Sequence, residues 1–515
     1  MQLVDRGNAL SATEHPTQIA GRLYHTDSRN EPHMSKEIAL SDRVILKIGR
    51  DQLANSFLIG QDAENYVSRK HCEVYVVLYE LGISHVYVRD RKSCNGTFVN
   101  GLCIGDSHRM SPGYLLTDGD IIEIRPYWQF LFKQETLVPE ESLNKLQMQE
   151  SQLFKEKYTI KSRVLGAGSQ GSVHLAVNTA SKTQLVCKII NLKQAGIRRQ
   201  QPSPQKLLQE SDILRQLKHP NILTYVDAVW SPHTLYLFTE LASGGDLLSY
   251  INQHDSIPEL DTRIIVRQIT RALHWLHQRN ILHRDLKPEN VLFACSPKIA
   301  YQRVMLSDFG SCALALSNKL KTNVGTQNFQ APEVIKGEKQ TTAADIWSLG
   351  IISLLLVSGC GLDGIDGLAR LDQSALRIIL HDLLSHCPIA SVNAKSFVLS
   401  CMKTKASDRI SSDEGERPLP TQLPDVLEQS QPRRLSDTVD FQQLAIAQYV
   451  QMGRAKVAQD SSVMPNNNRQ RVVKVRRQAQ QSSNHANKPP KGRVHDGRVE
   501  ILQKLKSTNT RFLKD

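Results

Sequence analysis

One run restricts this chain more than any other: Ile281-Leu282-His283-Arg284-Asp285-Leu286-Lys287-Pro288-Glu289-Asn290. It places a carboxylate (Asp285), an ammonium (Lys287) and a carboxamide (Asn290) on one tight loop, within six positions. Phosphoryl transfer needs such a set. A carboxylate orients an attacking hydroxyl and accepts its proton, an ammonium balances charge on the moving phosphoryl group, and a carboxamide oxygen ligates Mg²⁺. The plain alternative is a solvated polar loop, and it is opposed by the further motifs that follow in order.

With 515 residues the chain has room for two or three domains, each with its own core. Nine cysteines without a C-x-x-C pair indicate neither a zinc site nor a disulfide framework, and they fit a reducing intracellular compartment. The first residues show no basic-then-apolar signal pattern. The longest apolar run, 351–357, is too short to span a bilayer, so a soluble protein with no membrane partner is expected. The net charge of +13 is uneven: residues 469–515 hold 13 Lys/Arg against 3 acids, so most of it belongs to the tail.

Residues 1–40 mix polar side chains without a period and read as a flexible arm. From 44 onward the texture changes to short apolar or alternating runs at 44–48, 72–78, 85–89, 97–99 and 121–124. Asn95-Gly96, Asn100-Gly101 and Asp118-Gly119 separate them as turns, which predicts an all-β sandwich. Four signatures fall at its strand ends: Gly49-Arg50, Ser68-Arg69-Lys70-His71, Asn95-Gly96-Thr97 with Asn100-Gly101, and Leu116 three residues before Gly119-Asp120. Two guanidinium groups, a hydroxyl and an amide on loops held by a rigid sheet suit a doubly charged phosphate. Over residues 41–135 this resembles a forkhead-associated (FHA) domain, a reader of phosphothreonine peptides. The resemblance implies that Arg50, Ser68 and Arg69 hold the phosphate, that Asn95 fixes the peptide backbone and that His71 braces the loop. Cys94 stands where several relatives have a phosphate-facing hydroxyl. A charged stretch at 136–157, lacking Gly, reads as a helical or extended linker.

Then Val164-Leu165-Gly166-Ala167-Gly168-Ser169-Gln170-Gly171-Ser172-Val173 lies between two strand-like runs. A G-x-G-x-x-G alone equally introduces a dinucleotide-binding helix. Here Val173 and residues 174–177 continue as strand, which favours a hairpin over nucleotide phosphates. Leu185-Val186-Cys187-Lys188 is a strand ending in a lysine, by itself most often a snorkelling edge residue. Leu306-Ser307-Asp308-Phe309-Gly310, Ala331-Pro332-Glu333, Asp345-Ile346-Trp347-Ser348-Leu349-Gly350 and Ser407-Asp408-Arg409-Ile410 follow in order.

Together, residues 158–426 resemble a bilobal α+β protein kinase domain. The resemblance implies Asp285, Lys287 and Lys188 as catalytic residues, and Asn290 with Asp308 as Mg²⁺ ligands. It implies an ATP site formed by Leu165, Gly166, Gly168, Gly171, Val173, Lys188, Glu210, Glu240, Ala242 and Asp246, with a Lys188–Glu210 ion pair, Thr239 as gatekeeper and Asp246 near the ribose. Glu333 is expected to pair with Arg409, and Asp345 to support the catalytic loop. Arg284, just before Asp285, marks relatives whose activation segment is phosphorylated. Thr322 and Thr326 are the candidate sites, with Thr322 favoured as the switch because a threonine at the Thr326 position usually braces the Asp285/Lys287 pair. Lys287 favours Ser/Thr substrates, and Asp246 with Glu289 implies substrates carrying Arg-x-x-Ser/Thr, a pattern found in Arg433-Arg434-Leu435-Ser436. The usual proline-phenylalanine marker is missing from 359–371.

Beyond 427 the chain turns Gln-, Ser- and Asn-rich and basic, and reads as a largely disordered tail. Residues 469–477 suit a nuclear-import signal, a DNA-touching arm or a plain solvated tail, and 499–506 a short docking helix. An FHA reader joined to a basophilic kinase resembles the checkpoint effector kinases of fungi and animals, within the calmodulin-kinase group. A single FHA domain and few Ser-Gln/Thr-Gln sites bring it nearer the fungal meiosis-specific members than the mitotic DNA-damage members. The implied partners are a phosphothreonine-bearing adaptor or chromosome-axis protein and a second copy of the chain, with weak DNA contact by the tail, all in the nucleus. The rival class is a phospho-dependent scaffold with an inactive kinase fold.

Overall fold

The computed structural model describes residues 18–416 apart from 30–35, 61–64, 80–82, 109–110, 137, 169–170, 193–214, 255–256, 299–302, 315–325 and 388–389. The tail expectations, including Arg433 to Ser436, lie outside those residues.

Among the described residues, eleven strands form the first domain: β1 (Ile19–Asp27), β2 (Lys36–Ser41), β3 (Leu46–Gly49), β4 (Phe57–Leu58), β5 (Cys72–Leu78), β6 (Ser84–Asp90), β7 (Thr97–Val99), β8 (Leu102–Gly105), β9 (Tyr114–Leu115), β10 (Ile121–Ile124) and β11 (Trp128–Gln134). They make two sheets, β2-β1-β11-β10-β7-β8 and β4-β3-β5-β6-β9. The buried faces enclose Leu23, Ile48, Val74, Ile122, Trp128, Phe130 and Phe132. This is the expected sandwich, with one correction: β1 and β2 occupy most of 18–41, the stretch read as an arm. The period is hidden there. Gly21 interrupts β1 because a Cβ would lie 2.6 Å from the Lys133 carbonyl, and the β1–β2 register shifts beside it. His25 takes a core position against Phe57 and Phe130.

The linker is not a free spacer. Its helix α1 (Lys145–Ser151) starts with a capping box between Asn144 and Gln147, and Phe154 packs on Tyr236 and Phe238. It forms part of the small core under a sheet ordered β12-β13-β14-β16-β15, made by β12 (Tyr158–Gly168), β13 (Gly171–Asn178), β14 (Gln184–Asn191), β15 (Tyr225–Trp230) and β16 (Thr234–Glu240). A larger helical lobe follows. It holds α2 (Leu247–Asn252), α3 (Glu259–His277), the short pairs β17 (Ile281–Leu282)/β20 (Ala313–Leu314) and β18 (Val291–Phe293)/β19 (Val304–Leu306), α4 (Pro332–Ile335), α5 (Ala343–Ser358), α6 (Gln373–Ser385), α7 (Val392–Cys401) and α8 (Ser412–Glu416). α5 is buried along nearly its whole length, which places its residues at the centre of the lobe. No helix among the described residues is long and apolar enough to cross a membrane.

The sandwich also rests on the kinase-like part. Tyr75, Val77, Tyr87 and Leu115 cluster with Leu175 of β13, and Leu165 and Leu241 pack against them. At this contact His85 and Arg163 are both buried, and the two imidazole nitrogens of His85 find no hydrogen-bond partner. Burial, followed by the nearby Arg163 guanidinium, pushes the His85 pKa down to about 3; Tyr79 and Tyr87 are its ring neighbours. Between about 3 and 6.5 the unfolded chain protonates His85 and the folded chain does not, so stability is lost as pH falls through that window. The unfolding midpoint is therefore expected to drop from pH 7 to pH 5 more steeply in the wild type than in His85→Leu. Calorimetry at the two pH values checks this, and parallel slopes would refute it.

Candidate active site

The catalytic run spans the end of β17 and a loop seated on the N-terminal end of α5. Asp345, fully buried in the first turn of that helix, accepts the backbone N–H groups of His283 (3.0 Å) and Arg284 (2.9 Å) and lies 2.9 Å from His277 Nε2. Burial opposes a charge on Asp345, but the His277 hydrogen bond and the surrounding donors outweigh it and hold the carboxyl below its ordinary range. Arg284 sits at a left-handed φ of 68°, a conformation that costs a non-glycine residue about 1–3 kcal/mol and persists only where its surroundings enforce it. Its Nε donates to Gln340 Oε1 (2.7 Å), and burial lowers its pKa.

Asp285 then faces Lys287, Asn290 and Thr326. Lys287 Nζ lies 3.5 Å from Asp285 Oδ2 and donates to Thr326 Oγ1 at 2.9 Å, while Thr326 N–H donates to Asp285 Oδ1 at 3.1 Å. Thr326 thus braces the pair, as the resemblance implies for that position. Thr322 lies outside the described residues. Asn290 Nδ2 donates to the Asp285 carbonyl (2.7 Å), leaving Oδ1 as a possible ligand.

Asp308 follows β19 in a left-handed conformation (φ 55°) and takes a 2.8 Å hydrogen bond from Lys188 Nζ on β14. Burial opposes its charge, but the Lys188 ammonium outweighs it and keeps the carboxyl below its ordinary range. Phe309 is buried against His283. Glu210 lies outside the described residues, so the ion pair seen here is Lys188–Asp308. Carboxylate and carboxamide oxygens from Asp308 and Asn290 form a donor set that fits a hard divalent cation.

β12 and β13 form the expected hairpin, paired up to Gly168 and Gly171. At Gly171 (φ 150°) a Cβ would lie 1.9 Å from the Ile189 carbonyl, so the third glycine is required for packing on β14. Gly166 is exposed, while Leu165, Val173, Thr239, Glu240 and Ala242 are half-buried along the hairpin and the connection after β16. Asp246 has a structural role beside the one implied for it near the ribose: its carboxylate is the N-cap of α2, accepting Ser249 N–H (2.7 Å) and Oγ–H (2.9 Å). An Asp just ahead of an apolar helix start is a preferred cap. Glu333 and Arg409 pair bidentately at 2.7 and 2.6 Å, as expected.

On the sandwich, Arg50, Ser68, Arg69 and Asn95 gather on the loops at one end of the sheets, with Arg50, Arg69 and Asn95 exposed. The 49–50 backbone runs hard against the 68–69 loop: Arg50 N–H donates to the Ser68 carbonyl (3.2 Å), and a Cβ on Gly49 would lie 2.5 Å from the Arg69 carbonyl. Ser68 Oγ accepts Cys94 N–H (2.8 Å), Asn95 Nδ2 donates to the Tyr66 carbonyl (2.9 Å), and His71 bridges Ser68 N and the Gly96 carbonyl. Behind the loop, Arg89 and Arg91 hold buried Glu73, and Arg91 reaches Asn55, whose amide donates to the Arg69 carbonyl at 2.6 Å. Asn55, Glu73, Arg89, Arg91, His277 and Gln340 were not anticipated, since none lies within a motif and their partners are distant in sequence.

The fold and site define a protein kinase. The profile of the protein kinase domain family matches residues 159–417, half of the chain, and that of the FHA domain matches residues 46–125. The meiosis-specific serine/threonine-protein kinase mek1 of Schizosaccharomyces pombe is 32% identical over 71% of this chain and 78% of its own length. The meiosis-specific serine/threonine-protein kinase MEK1 of Saccharomyces cerevisiae is 30% identical over 72% and 79%. A crystal structure of Rad53 1–466 in complex with AMP-PNP aligns with 77% of this chain and 98% of that one, at 23% identity and a TM-score of 0.42. The chain belongs to the protein kinase family as an FHA-bearing serine/threonine kinase, and ATP is its phosphoryl donor.

Removing one carboxylate oxygen beneath the loop should affect chemistry more than nucleotide binding. Asp345→Asn is expected to lower kcat at least about tenfold with the KM for ATP within about twofold, since a lost hydrogen bond to a charged group is worth about 1.5–3 kcal/mol. Steady-state kinetics provide the check.

Proposed function

We propose that this chain is a nuclear checkpoint kinase of meiotic recombination. Its FHA domain binds a phosphothreonine on an adaptor or chromosome-axis protein, and its kinase domain phosphorylates Arg-x-x-Ser/Thr sites. The likeness to two meiosis-specific kinases over more than two thirds of this chain and of theirs is the observation that carries this reading. Concentrating two copies on one marked partner raises the local concentration at which one activates the other by phosphorylation, with Thr322 the favoured target.

At the cleft, Asp285 orients the substrate hydroxyl and accepts its proton, while Lys287, held by Thr326, faces the phosphoryl group in flight. Lys188 positions the nucleotide phosphates. Asn290 and Asp308 would hold Mg²⁺, which neutralises charge on the phosphate oxygens when bound. Glu289 supports the arginine preference: it is half-buried, its Oε2 has no partner, and burial raises its pKa, with Asp285 and Asp246 adding to the rise. A guanidinium reaching it would relieve an unpaired acid beside other acids. The presence of Lys188, Asp285, Asn290 and Asp308 in the sequence weighs against an inactive scaffold.

Autophosphorylation with Mg²⁺-ATP should fall at least about a hundredfold in Asp285→Ala and Lys188→Ala. Equal incorporation by wild type and variants would leave the scaffold reading. Calorimetry with a phosphothreonine peptide should show Arg50→Ala weakening affinity roughly 10- to 100-fold, and unchanged affinity would remove the reader.

A further inference from the structure

The contact between sandwich and kinase touches three parts of the catalytic domain at once. On the small lobe, Gln184 of β14 makes two reciprocal hydrogen bonds with the backbone of Leu115, at 2.7 and 2.9 Å, and Leu165 and Leu175 join the cluster around Val77 and Tyr87. At the connection between the lobes, Leu241 packs against the same cluster, and buried Tyr75 Oη donates to Ser243 Oγ at 2.9 Å. On the large lobe, Gln253 Nε2 donates to the Leu78 carbonyl at 2.9 Å, and Lys298 donates to the Asp42 carbonyl. The surfaces fit closely: a Cβ at Gly113 would lie 2.5 Å from Ser243 Oγ, and one at Gly245 2.9 Å from Val77 Cγ1.

We infer that the β5–β6–β9 face of the sandwich is a splint docked across the kinase hinge, and that it gates nucleotide exchange. A bilobal enzyme admits and releases nucleotide by rotating its lobes about the connecting segment. A sheet fastened to both lobes and to the connection itself opposes that rotation. The face is built for release as well as for contact. Arg163 Nε and Nη2 and both nitrogens of His85 are buried in it without hydrogen-bond partners, a desolvation cost that undocking removes. The docked enzyme thus retains nucleotide, and the undocked enzyme exchanges it.

The test uses the full chain, the variant Val77→Asp, which sets a carboxylate among Leu165, Leu175 and Leu241, and Gln184→Ala, which removes two hydrogen bonds from the kinase side alone. Hydrogen exchange by mass spectrometry reads residues 241–246 for docking and β11 for the intact sandwich. Stopped-flow release of a fluorescent ADP analogue reads exchange. Val77→Asp should raise exchange at 241–246 at least tenfold, leave β11 protected and speed ADP release at least fivefold, with Gln184→Ala changing both in the same direction by less. ADP release at the wild-type rate with 241–246 exposed overturns the proposal, as does a hinge that stays protected in both variants. Should Val77→Asp lose protection at β11, the same two outcomes are read from Gln184→Ala. Saturable ADP binding in every protein separates this result from failure of the kinase site.

Discussion

The carboxylate of Asp345 is the interaction on which the catalytic geometry depends. It lies at the buried start of α5, where leaving the helix's own first N–H groups and a negative charge together is favourable, and it takes two backbone N–H groups from a loop about sixty residues earlier in sequence. Those two bonds hold Arg284 in a left-handed conformation it would not adopt unaided. With Arg284 fixed, the turn presents Asp285 to Lys287, Asn290 and Thr326 at hydrogen-bonding range. Asp345, 1% exposed, thus sets the position of Asp285 without itself facing the cleft residues Lys287, Asn290 and Thr326.

The same separation between holding and acting recurs on the sandwich. Arg50, Arg69 and Asn95 are exposed, whereas Glu73, Arg89 and Arg91 behind them are largely buried and satisfied by one another. Buried ion pairs add little net stability, but they fix geometry when every partner is present. Here they end on Asn55, which ties down the Arg69 carbonyl. On the proposed reading, the exposed groups meet the phosphate and the buried ones set the angle at which they do so.

How much of this is legible in the sequence follows from where each partner lies. Asp285, Lys287 and Asn290 sit within six positions, so their spacing alone reports the site. The Asn95-Gly96 turn and the Gly166 to Gly171 hairpin are legible for the same reason, since glycine is placed by local backbone need. β1 and β2 were hidden because β1 is held by pairing with β11, more than a hundred residues away, and β2 by pairing with β1, while Gly21 and His25 break the apolar alternation. Asp246 carries a role that its motif position does not record: its carboxylate caps the helix that follows. His277 and Gln340 carry no local pattern at all; only the packing of α3 and the segment before α5 against the catalytic loop reveals them.

The two functional surfaces of the sandwich lie at opposite ends of one strand. β5 begins at Cys72, next to the Ser68-Arg69 loop, and ends at Leu78, where Gln253 of the kinase binds its carbonyl. At about 3.3 Å per residue these ends are roughly 20 Å apart. A peptide on the exposed loops and the kinase on the β5–β6–β9 face therefore do not compete for the same atoms. The two surfaces are nonetheless joined within the sandwich, because Arg89 and Glu73, which support the Ser68-Arg69 loop through Arg91 and Asn55, also face Cys295 of the kinase. On the proposed reading, recruitment through the exposed loops leaves the hinge fastened, and the Glu73–Arg89 pair joins those loops to the kinase contact.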